Sequence, residues 1–139
     1  MKKMVVLIID DVDYTRQLLR NSILHMNAEG CFTCTQFRIL QASVGSEALD
    51  TIRNREVDLI FLDIELPDMN GIDILREMKT EKPELHIVML SGECTSDNVR
   101  DSIAAGASGF IAKPFSGEKV CAAIKNFEKS HKKLSWSNL

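Results

Sequence analysis

Short apolar runs alternate with longer segments of helical periodicity along the chain. Residues 5–9, 60–62 and 87–90 are apolar throughout, as expected of strands whose two faces are both buried. Between these runs, apolar residues recur every three to four positions, which is typical of helices with one buried face. Parallel strands need right-handed crossovers that are long enough to contain a helix. The pattern therefore predicts five βα units in a doubly wound α/β fold, with helices on both faces of a mainly parallel five-stranded sheet.

Turn and capping residues separate these segments. Asp13 is expected to cap the first helix, because Asp is a favoured N-cap residue. Gly45 is expected to open the second helix and Gly71 the third, while Gly106 and Gly109 bracket the turn into the last strand. These positions agree with the alternation of strands and helices.

Length and composition indicate one globular domain. The chain has 139 residues, of which 45% are hydrophobic and 27% charged, enough for a single core. The net charge of −3 argues against a nucleic-acid partner. No run approaches the roughly 18 apolar residues of a membrane span, and the start of the chain lacks the long apolar core of a signal peptide. We therefore expect a cytoplasmic protein whose four cysteines are reduced thiols.

Four of the five predicted strands end in polar residues that could meet at one point. Asp10 and Asp11 follow the first apolar run, and Asp63, Ser91 and Lys113 close later ones. In an open parallel sheet, ligands bind outside the carboxyl ends of the strands. The sequence therefore predicts one composite site with three carboxylates, a hydroxyl and an amine.

Adjacent carboxylates favour a divalent cation, because like charges raise one another's pKa and need a counter-charge. Oxygen ligands without His or Cys favour a hard ion, and Mg²⁺ keeps waters and phosphate oxygens in its octahedron. Lys113 and Ser91 would contact further phosphate oxygens. Asp63 is the candidate nucleophile, since a carboxylate can accept a phosphoryl group as an aspartyl phosphate. The loop that follows Asp63 is expected to leave its side chain exposed.

These residues match a known family. From about residue 4 to about residue 129 the chain resembles a response-regulator receiver domain, and it is similar to the CheY-like single-domain regulators of two-component signalling. The match rests on the acidic pair Asp10 and Asp11, on Asp63 with LPDMNG after it, on Ser91, and on the sequence Lys113-Pro114-Phe115. The resemblance implies the strand order 2-1-3-4-5.

The resemblance also implies how the site works. Asp11, Asp63 and the backbone carbonyl of Glu65 would bind Mg²⁺ directly, and Asp10 would act through water. A sensor histidine kinase or a histidine phosphotransfer protein would donate the phosphoryl group to Asp63. Such a protein catalyses only its own phosphorylation and dephosphorylation, so it is a phosphoacceptor rather than an enzyme with a separate substrate.

The family's switch is implied as well. A cis peptide bond between Lys113 and Pro114 would aim the lysine amine into the site. Ser91 would move toward the phosphoryl oxygens, and Phe110 would turn inward when it does, as a population shift between two packings. A downstream protein would read the face formed by helix 4, strand 5 and helix 5, which covers residues 95–106, 109–111 and 116–129.

Two other function classes stay open. A Mg²⁺-dependent phosphatase with an aspartyl nucleophile would need an acid/base carboxylate two residues on, where Glu65 stands, and a cap over the substrate. A receiver-like binding module would keep the fold without phosphorylation. Taken singly, the site residues have simpler explanations as helix caps (Asp10, Asp11), a turn residue (Ser91), a solvated lysine (Lys113) and a fixed core aromatic (Phe110).

Further acidic residues flank the site in the sequence. Asp68, Asp73 and Glu93 are expected to be solvated charges. The side chain of Glu65 lies at the predicted rim, and our hypothesis is that it influences how water reaches the acyl phosphate.

Residues 27–36 form a connection longer than the roughly 2–6 residues that are common between a helix and a strand. Cys31 and Cys34 lie in it, with His25 nearby, and their spacing suits a zinc or redox site. However, no second pair follows, and the cysteines precede a strand. We therefore expect an insertion that extends the second strand or forms a small loop over it, at a sheet edge suited to contacts with a partner.

The predicted domain covers residues 1–131, and residues 132–139 are expected to form a short tail with Trp136 exposed. Lys129, Lys132 and Lys133 are expected to complement a helix dipole rather than bind nucleic acid. The output would then be phosphorylation-dependent binding to a protein, by a monomer or a dimer linked to phosphorylation, without nucleic acid or membrane.

Overall fold

A computed structural model describes the chain over residues 3–137 and its side chains over residues 3–131. Strands and helices alternate as predicted. The strands are β1 (Lys3–Ile9), β2 (Gln36–Ala42), β3 (Leu59–Asp63), β4 (His86–Ser91) and β5 (Gly109–Ala112). The helices are α1 (Asp13–Ala28), α2 (Gly45–Asn54), α3 (Gly71–Glu81), α4 (Ser96–Ala104) and α5 (Gly117–Ser137).

The five strands form one parallel sheet in the order β2-β1-β3-β4-β5. The predicted doubly wound fold and its strand order are therefore confirmed. In the register of the sheet, Asp63 pairs with Leu90, and Ser91 pairs with Ala112. The carboxyl ends of these strands thus lie at one edge, and the residues that follow them begin from neighbouring positions.

Both faces of the sheet are buried under helices. Along β1, Val6 and Ile8 face the apolar layer of α1 and α5, whereas Leu7 and Ile9 face the layer of α2 and α3. All four side chains are fully buried. A continuous apolar run fills both faces in this way, which is why the strands could be recognised in the sequence.

The start of α1 differs from the expectation. Val12 is the N-cap residue and gives no side-chain cap, so the prediction that Asp13 caps the helix is wrong. Asp13 lies in the first helical turn, where its carboxylate accepts a hydrogen bond from Arg16. The helices α2 and α3 begin at Gly45 and Gly71, as expected.

The connection between α1 and β2 is shorter than the predicted segment 27–36. The last turn of α1 continues to Ala28, and β2 begins at Gln36. Residues 29–35 therefore form the loop. The predicted segment was too long, because α1 continues for two residues beyond Met26, its last large apolar residue.

The loop 29–35 packs against the middle of α5. Phe32 and Cys34 are buried in the layer of α1 and α5. The carboxylate of Glu128 accepts the backbone N–H groups of Thr33 at 3.2 Å and of Cys34 at 2.7 Å. Of the two expected forms, the structure thus has a small packed loop, and β2 is not extended.

The cysteines of this loop lie in different environments. Cys31 is half-buried, whereas Cys34 is buried and donates from its Sγ to the Gln36 carbonyl at 3.1 Å. Burial raises the pKa of the Cys34 thiol, and a metal ligand has to be a thiolate. Across the described part of the chain, no group of side chains arranged for a metal includes either cysteine.

The helix α5 runs past residue 131 to Ser137, into the segment that we expected to be a tail. The predictions for Lys132, Lys133 and Trp136 concern side chains that lie outside the described residues. Over residues 3–137, no helix has both the length and the apolar character that a membrane span requires.

The helix α4 buries a polar side chain. Ser102 is fully buried, and its hydroxyl has no hydrogen-bond partner among the described residues. An unsatisfied buried hydroxyl costs about 1–3 kcal/mol.

We expect Ser102→Ala to raise the free energy of unfolding by about 1–2 kcal/mol, measured by urea denaturation. Ser130→Ala, at an exposed position of α5, is the control for helix propensity, and equal gains at both positions would contradict the prediction.

Candidate functional site

The polar residues at the strand ends lie at one edge of the sheet. Asp10 and Asp11 follow β1, Asp63 ends β3, Ser91 ends β4, and Lys113 follows β5. This arrangement arises because parallel strands present all their carboxyl ends to the same side. The structure therefore gathers residues that are up to 103 positions apart in the chain.

Lys113 is paired with two buried carboxylates. Its Nζ donates to Asp10 Oδ2 at 2.7 Å and lies 3.2 Å from Asp63 Oδ2. The Asp63 side chain is only 3% exposed, so the prediction of an exposed side chain is wrong. Lys113, which follows β5, and the backbone N–H of Glu65 both contact this carboxylate.

The charges at this edge shift one another. The pKa of Asp63 is raised to about 6, chiefly by burial and then by the neighbouring Asp10 carboxylate. Lys113 opposes this increase, as does the Glu65 N–H, which donates to Asp63 Oδ1 at 3.1 Å. Burial lowers the pKa of Lys113, but its contacts with Asp10 and Asp63 outweigh burial and raise it overall.

Three carboxylates are arranged to hold a metal ion. Asp10, Asp11 and Asp63 each offer an oxygen, and these atoms lie within 4.8 Å of one another. Asp11 is exposed and reaches the open side of the site, whereas the other two are buried. Three carboxylates face the single ammonium group of Lys113, so negative charge is in excess at this site. A set of oxygen ligands with excess negative charge fits Mg²⁺, which binds one or two carboxylates and keeps several waters.

Ser91 is turned toward the rim of the site. Its hydroxyl lies 3.0 Å from Glu65 Oε1 and 3.0 Å from the Glu93 carbonyl, and it accepts the Glu93 N–H at 2.9 Å. A hydroxyl has a single proton, so Glu65 and Glu93 compete for it. The Glu93 side chain is exposed, in line with the predicted solvated charge.

The loop between β3 and α3 is fixed at several points. Asp68 accepts the N–H groups of Gly45 at 2.8 Å and Ser46 at 3.2 Å, which caps the start of α2. Asp68 is exposed, in line with the predicted solvated charge, but it also holds the start of α2, which was not predicted. The N-cap of α3 is Asn70, whose side chain accepts the Ile72 N–H at 2.8 Å.

Gly71 lies against the backbone that carries Asp63. A Cβ at this position would lie 2.6 Å from Ile64 Cα and would also collide with the Asp63 carbonyl oxygen. The Gly71 N–H donates to the Ile64 carbonyl at 2.7 Å. Glycine is required here by close approach of two backbone segments.

Two further predicted residues lie on and after β5. Phe110 is half-buried, is opposite Met89 in the sheet and packs against the layer of α2 and α3. The peptide bond between Lys113 and Pro114 is cis.

Two polar residues beside the site, Arg16 and Gln41, were not predicted from the sequence. Arg16 donates to the Asp10 carbonyl at 2.6 Å and to Gln41 Oε1 at 3.0 Å. An arginine in the first turn of a helix is ordinarily solvated. A polar residue on an edge strand, such as Gln41 on β2, is ordinarily solvated as well. No signal in the sequence separates these residues from others of their type.

Comparison with known proteins agrees with this geometry. Residues 6–125 match the family model of the response regulator receiver domain. The chain is 31% identical over 119 residues to the chemotaxis protein CheY of Bacillus subtilis. The aligned region covers 86% of this chain and 92% of that protein. It is 35% identical over 121 residues to the cell cycle transcriptional regulator CtrA of Caulobacter vibrioides, which covers 87% of this chain. It spans about half of CtrA, 48% of its length.

A solved structure shows the same architecture. The response regulator receiver domain protein of Clostridium thermocellum superposes with a TM-score of 0.80 at 27% identity, covering 94% of this chain and 98% of that one. The family model, the two relatives and this fold coincide with a site made of strand-end carboxylates and a lysine. The chain belongs to the family of response regulator receiver domains.

Proposed function

We propose that the protein is a response regulator that accepts a phosphoryl group on Asp63 in a Mg²⁺-dependent reaction and signals by binding another protein. One observation carries the proposal: the Asp63 carboxylate lies 3.2 Å from Lys113 Nζ and in a cluster of three carboxylates arranged for a metal ion. This geometry supports Asp63 as the nucleophile, Lys113 as the cation that contacts the phosphoryl group, and the three carboxylates as metal ligands. That the protein acts as a stand-alone cytoplasmic regulator stays a prediction.

The reaction is a transfer between two groups. An Asp63 oxygen attacks the phosphorus of a phosphohistidine, the P–N bond breaks, and the histidine nitrogen takes a proton from solvent. Asp11, Asp63 and the Glu65 carbonyl would hold Mg²⁺, with Asp10 acting through water, and the bound ion would neutralise charge on the phosphoryl oxygens. Lys113 would stay ionised and move from the carboxylates toward a phosphoryl oxygen.

The donor has to bring its phosphohistidine to the rim of the site. Val12, Tyr14 and Leu18 are exposed apolar side chains at the start of α1, next to Asp11. Exposed apolar groups that adjoin a reactive site suit contact with a protein surface. A sensor histidine kinase or a histidine phosphotransfer protein fits this requirement.

Readout would use the face of α4, β5 and α5. Ser91 would exchange its contact with Glu65 for a phosphoryl oxygen, and Phe110 would follow. The face has an exposed Ile103 on α4 and, between β5 and α5, an open cavity of about 330 Å³ that Phe110 and Lys119 help to line. Phosphorylation would then bias the equilibrium between two packings of this face.

The experiment is phosphorylation by a small donor. Wild-type protein and Asp63→Asn are incubated with acetyl phosphate and Mg²⁺, and their intact masses are measured. We expect a labile phosphoryl adduct on the wild-type protein alone. No adduct should form on wild type when Mg²⁺ is chelated before acetyl phosphate is added. Rapid release of phosphate without an adduct would instead identify a phosphatase. The absence of any reaction in wild type would indicate a binding module, and either result would refute the proposal.

The Glu65 side chain provides a second test of the site. Its carboxylate already holds the Ser91 hydroxyl at the rim, where attacking water has to enter. We expect Glu65→Ala to lengthen the lifetime of the phosphoryl group up to about tenfold, because a carboxylate that can orient water is lost. Loss of phosphate is followed after the donor is removed. Glu84→Ala removes an equal charge just before β4, at the opposite end of the sheet, and is the control; an unchanged lifetime in Glu65→Ala would contradict the hypothesis.

A further inference from the structure

Arg16 is nearly enclosed beside the candidate metal site, with its side chain 14% exposed. Its guanidinium contacts three residues on three parts of the fold. Nη1 donates to the Asp10 carbonyl at 2.6 Å, Nε donates to Gln41 Oε1 at 3.0 Å, and Nη2 donates to Asp13 Oδ1 at 2.9 Å. The planar donor group of arginine suits such divergent contacts, whereas the ammonium group of lysine does not.

These contacts complete the fixation of the Asp10 backbone, whose N–H and carbonyl belong to two successive peptide units. The Asp10 N–H donates to the Ala42 carbonyl on β2 at 3.1 Å, and the Asp10 carbonyl accepts from Arg16. The Asp10 carboxylate accepts the Val12 N–H at 2.9 Å and the Lys113 ammonium at 2.7 Å. Only the contact of the carbonyl depends on Arg16, and this carbonyl belongs to the peptide that leads into Asp11.

We propose that Arg16 is a positioning residue that holds the loop between β1 and α1 in the conformation in which Asp10 and Asp11 bind a divalent cation. Without it, the peptide between these two residues is free to rotate, and the exposed Asp11 carboxylate loses its fixed place relative to Asp63. Gln41 supports the arrangement by orienting the guanidinium. The inference rests on the proposed Mg²⁺ site.

Charge alone predicts the opposite effect. Arg16 adds a positive charge near a site that would attract a cation, so a purely electrostatic role means that its removal strengthens Mg²⁺ binding. A positioning role means that its removal weakens binding. The sign of the change therefore separates the two explanations.

The test is the Mg²⁺ affinity of the unphosphorylated full chain, measured by isothermal titration calorimetry. Side chains that orient metal ligands typically change affinity by 10–100-fold, and we expect Arg16→Ala to weaken binding by about this factor. Arg16→Lys keeps the charge and should recover little, and Gln41→Ala should weaken binding by a smaller factor. Arg20→Ala, one turn further along α1 with the same change of charge, should bind as wild type does.

Amide hydrogen exchange supplies a readout that needs no metal. We expect the Asp10 and Val12 amides to exchange faster in Arg16→Ala and Arg16→Lys than in wild type, while amides of β3 stay unchanged. Circular dichroism establishes that each variant is folded. If Arg16→Ala does not fold, Arg16→Lys and Gln41→Ala decide the question.

The outcomes distinguish the inference from the proposed function. Suppose that wild type binds Mg²⁺, that Asp11→Asn does not, and that the Arg16 variants bind it as tightly as wild type or more tightly. This result would overturn the positioning role of Arg16 and leave the proposed metal site intact. A wild-type protein that binds no Mg²⁺ would overturn both. Weakening by Arg16→Lys together with faster exchange at Asp10 would support the inference.

Discussion

Asp63→Asn is expected to raise the free energy of unfolding of the metal-free protein at pH 7 by about 2–3 kcal/mol. The wild-type carboxyl has its pKa raised to about 6 by burial and by Asp10, and each pKa unit corresponds to about 1.4 kcal/mol. Holding Asp63 ionised in the fold is therefore costly. Asparagine keeps the size of the side chain and an acceptor for the Glu65 N–H, but removes the charge.

The gain should depend on pH in a defined way. Between pH 3.8, the ordinary pKa, and about 6, the folded state binds more protons at Asp63 than the unfolded state does. Stability from this group therefore falls as pH rises through that window. The difference between Asp63→Asn and wild type should be small at pH 4 and fully developed at pH 7.

A half-buried histidine, His86, changes the stability in the opposite direction over a similar pH range. Burial, followed by the charges of His131 and Lys79, lowers the pKa of His86 to about 4. Its contribution to stability is complete above pH 6.5 and is lost as pH falls toward 4. Since His86 is the same in both proteins, it cancels in the difference.

The measurement is urea denaturation of both proteins from pH 4 to pH 7.5 in the presence of a chelator. Asp73→Asn, which alters an exposed carboxylate, is the control and should have little effect. Saturating Mg²⁺ should reduce or reverse the gain, because the ion stabilises the wild-type fold that binds it. Equal stability of Asp63→Asn and wild type at pH 7 without Mg²⁺ would show that the carboxylates are not in conflict.

Gly71→Ala is expected to destabilise the fold by about 2–4 kcal/mol and to slow phosphorylation of Asp63 by at least about tenfold. The new Cβ would meet backbone atoms of Asp63 and Ile64, which no change of side-chain rotamer can relieve. The end of β3 has to shift, and Asp63 shifts with it. A displacement of about 1 Å at a reacting group can cost about 100-fold in rate.

Thermal unfolding and the rate of adduct formation with acetyl phosphate check this prediction. Gly117→Ala is a matched control, because nothing lies within 4 Å of a Cβ built at that position. We expect the control to be neutral or slightly stabilising. A Gly71→Ala protein with wild-type stability and rate would mean that the loop relaxes without moving Asp63.

Strand ends were predictable because they depend on local pattern. Asp10, Asp63 and Lys113 each follow an apolar run, and the geometry of a parallel sheet then places them together. The burial of Asp63 was not predictable, because it depends on contacts with a lysine 50 positions later in the chain. Exposure is a property of the assembled edge and cannot be read from one strand and its loop.

Long-range polar contacts were missed for the same reason. Asp68 caps a helix that begins 23 positions earlier, and Arg16 reaches Gln41 across 25 positions. Neither pair has a spacing that a sequence pattern records. Asp13 was expected to be the N-cap residue of α1, but the N-cap is Val12, one residue earlier, and the helix begins without a side-chain cap. The Val12 N–H is instead accepted by the Asp10 carboxylate, a contact that depends on the fold of the loop after β1.

The contact between Glu128 and the loop 29–35 lies just beyond the end of the family match. The family match ends at residue 125, yet Phe127 is fully buried and Glu128 binds the backbone of Thr33 and Cys34. A chain truncated at residue 125 would expose the core beside β4 and release this loop. The buried core therefore extends beyond the region that the family model matches, and a domain swap cut at residue 125 would remove part of that core.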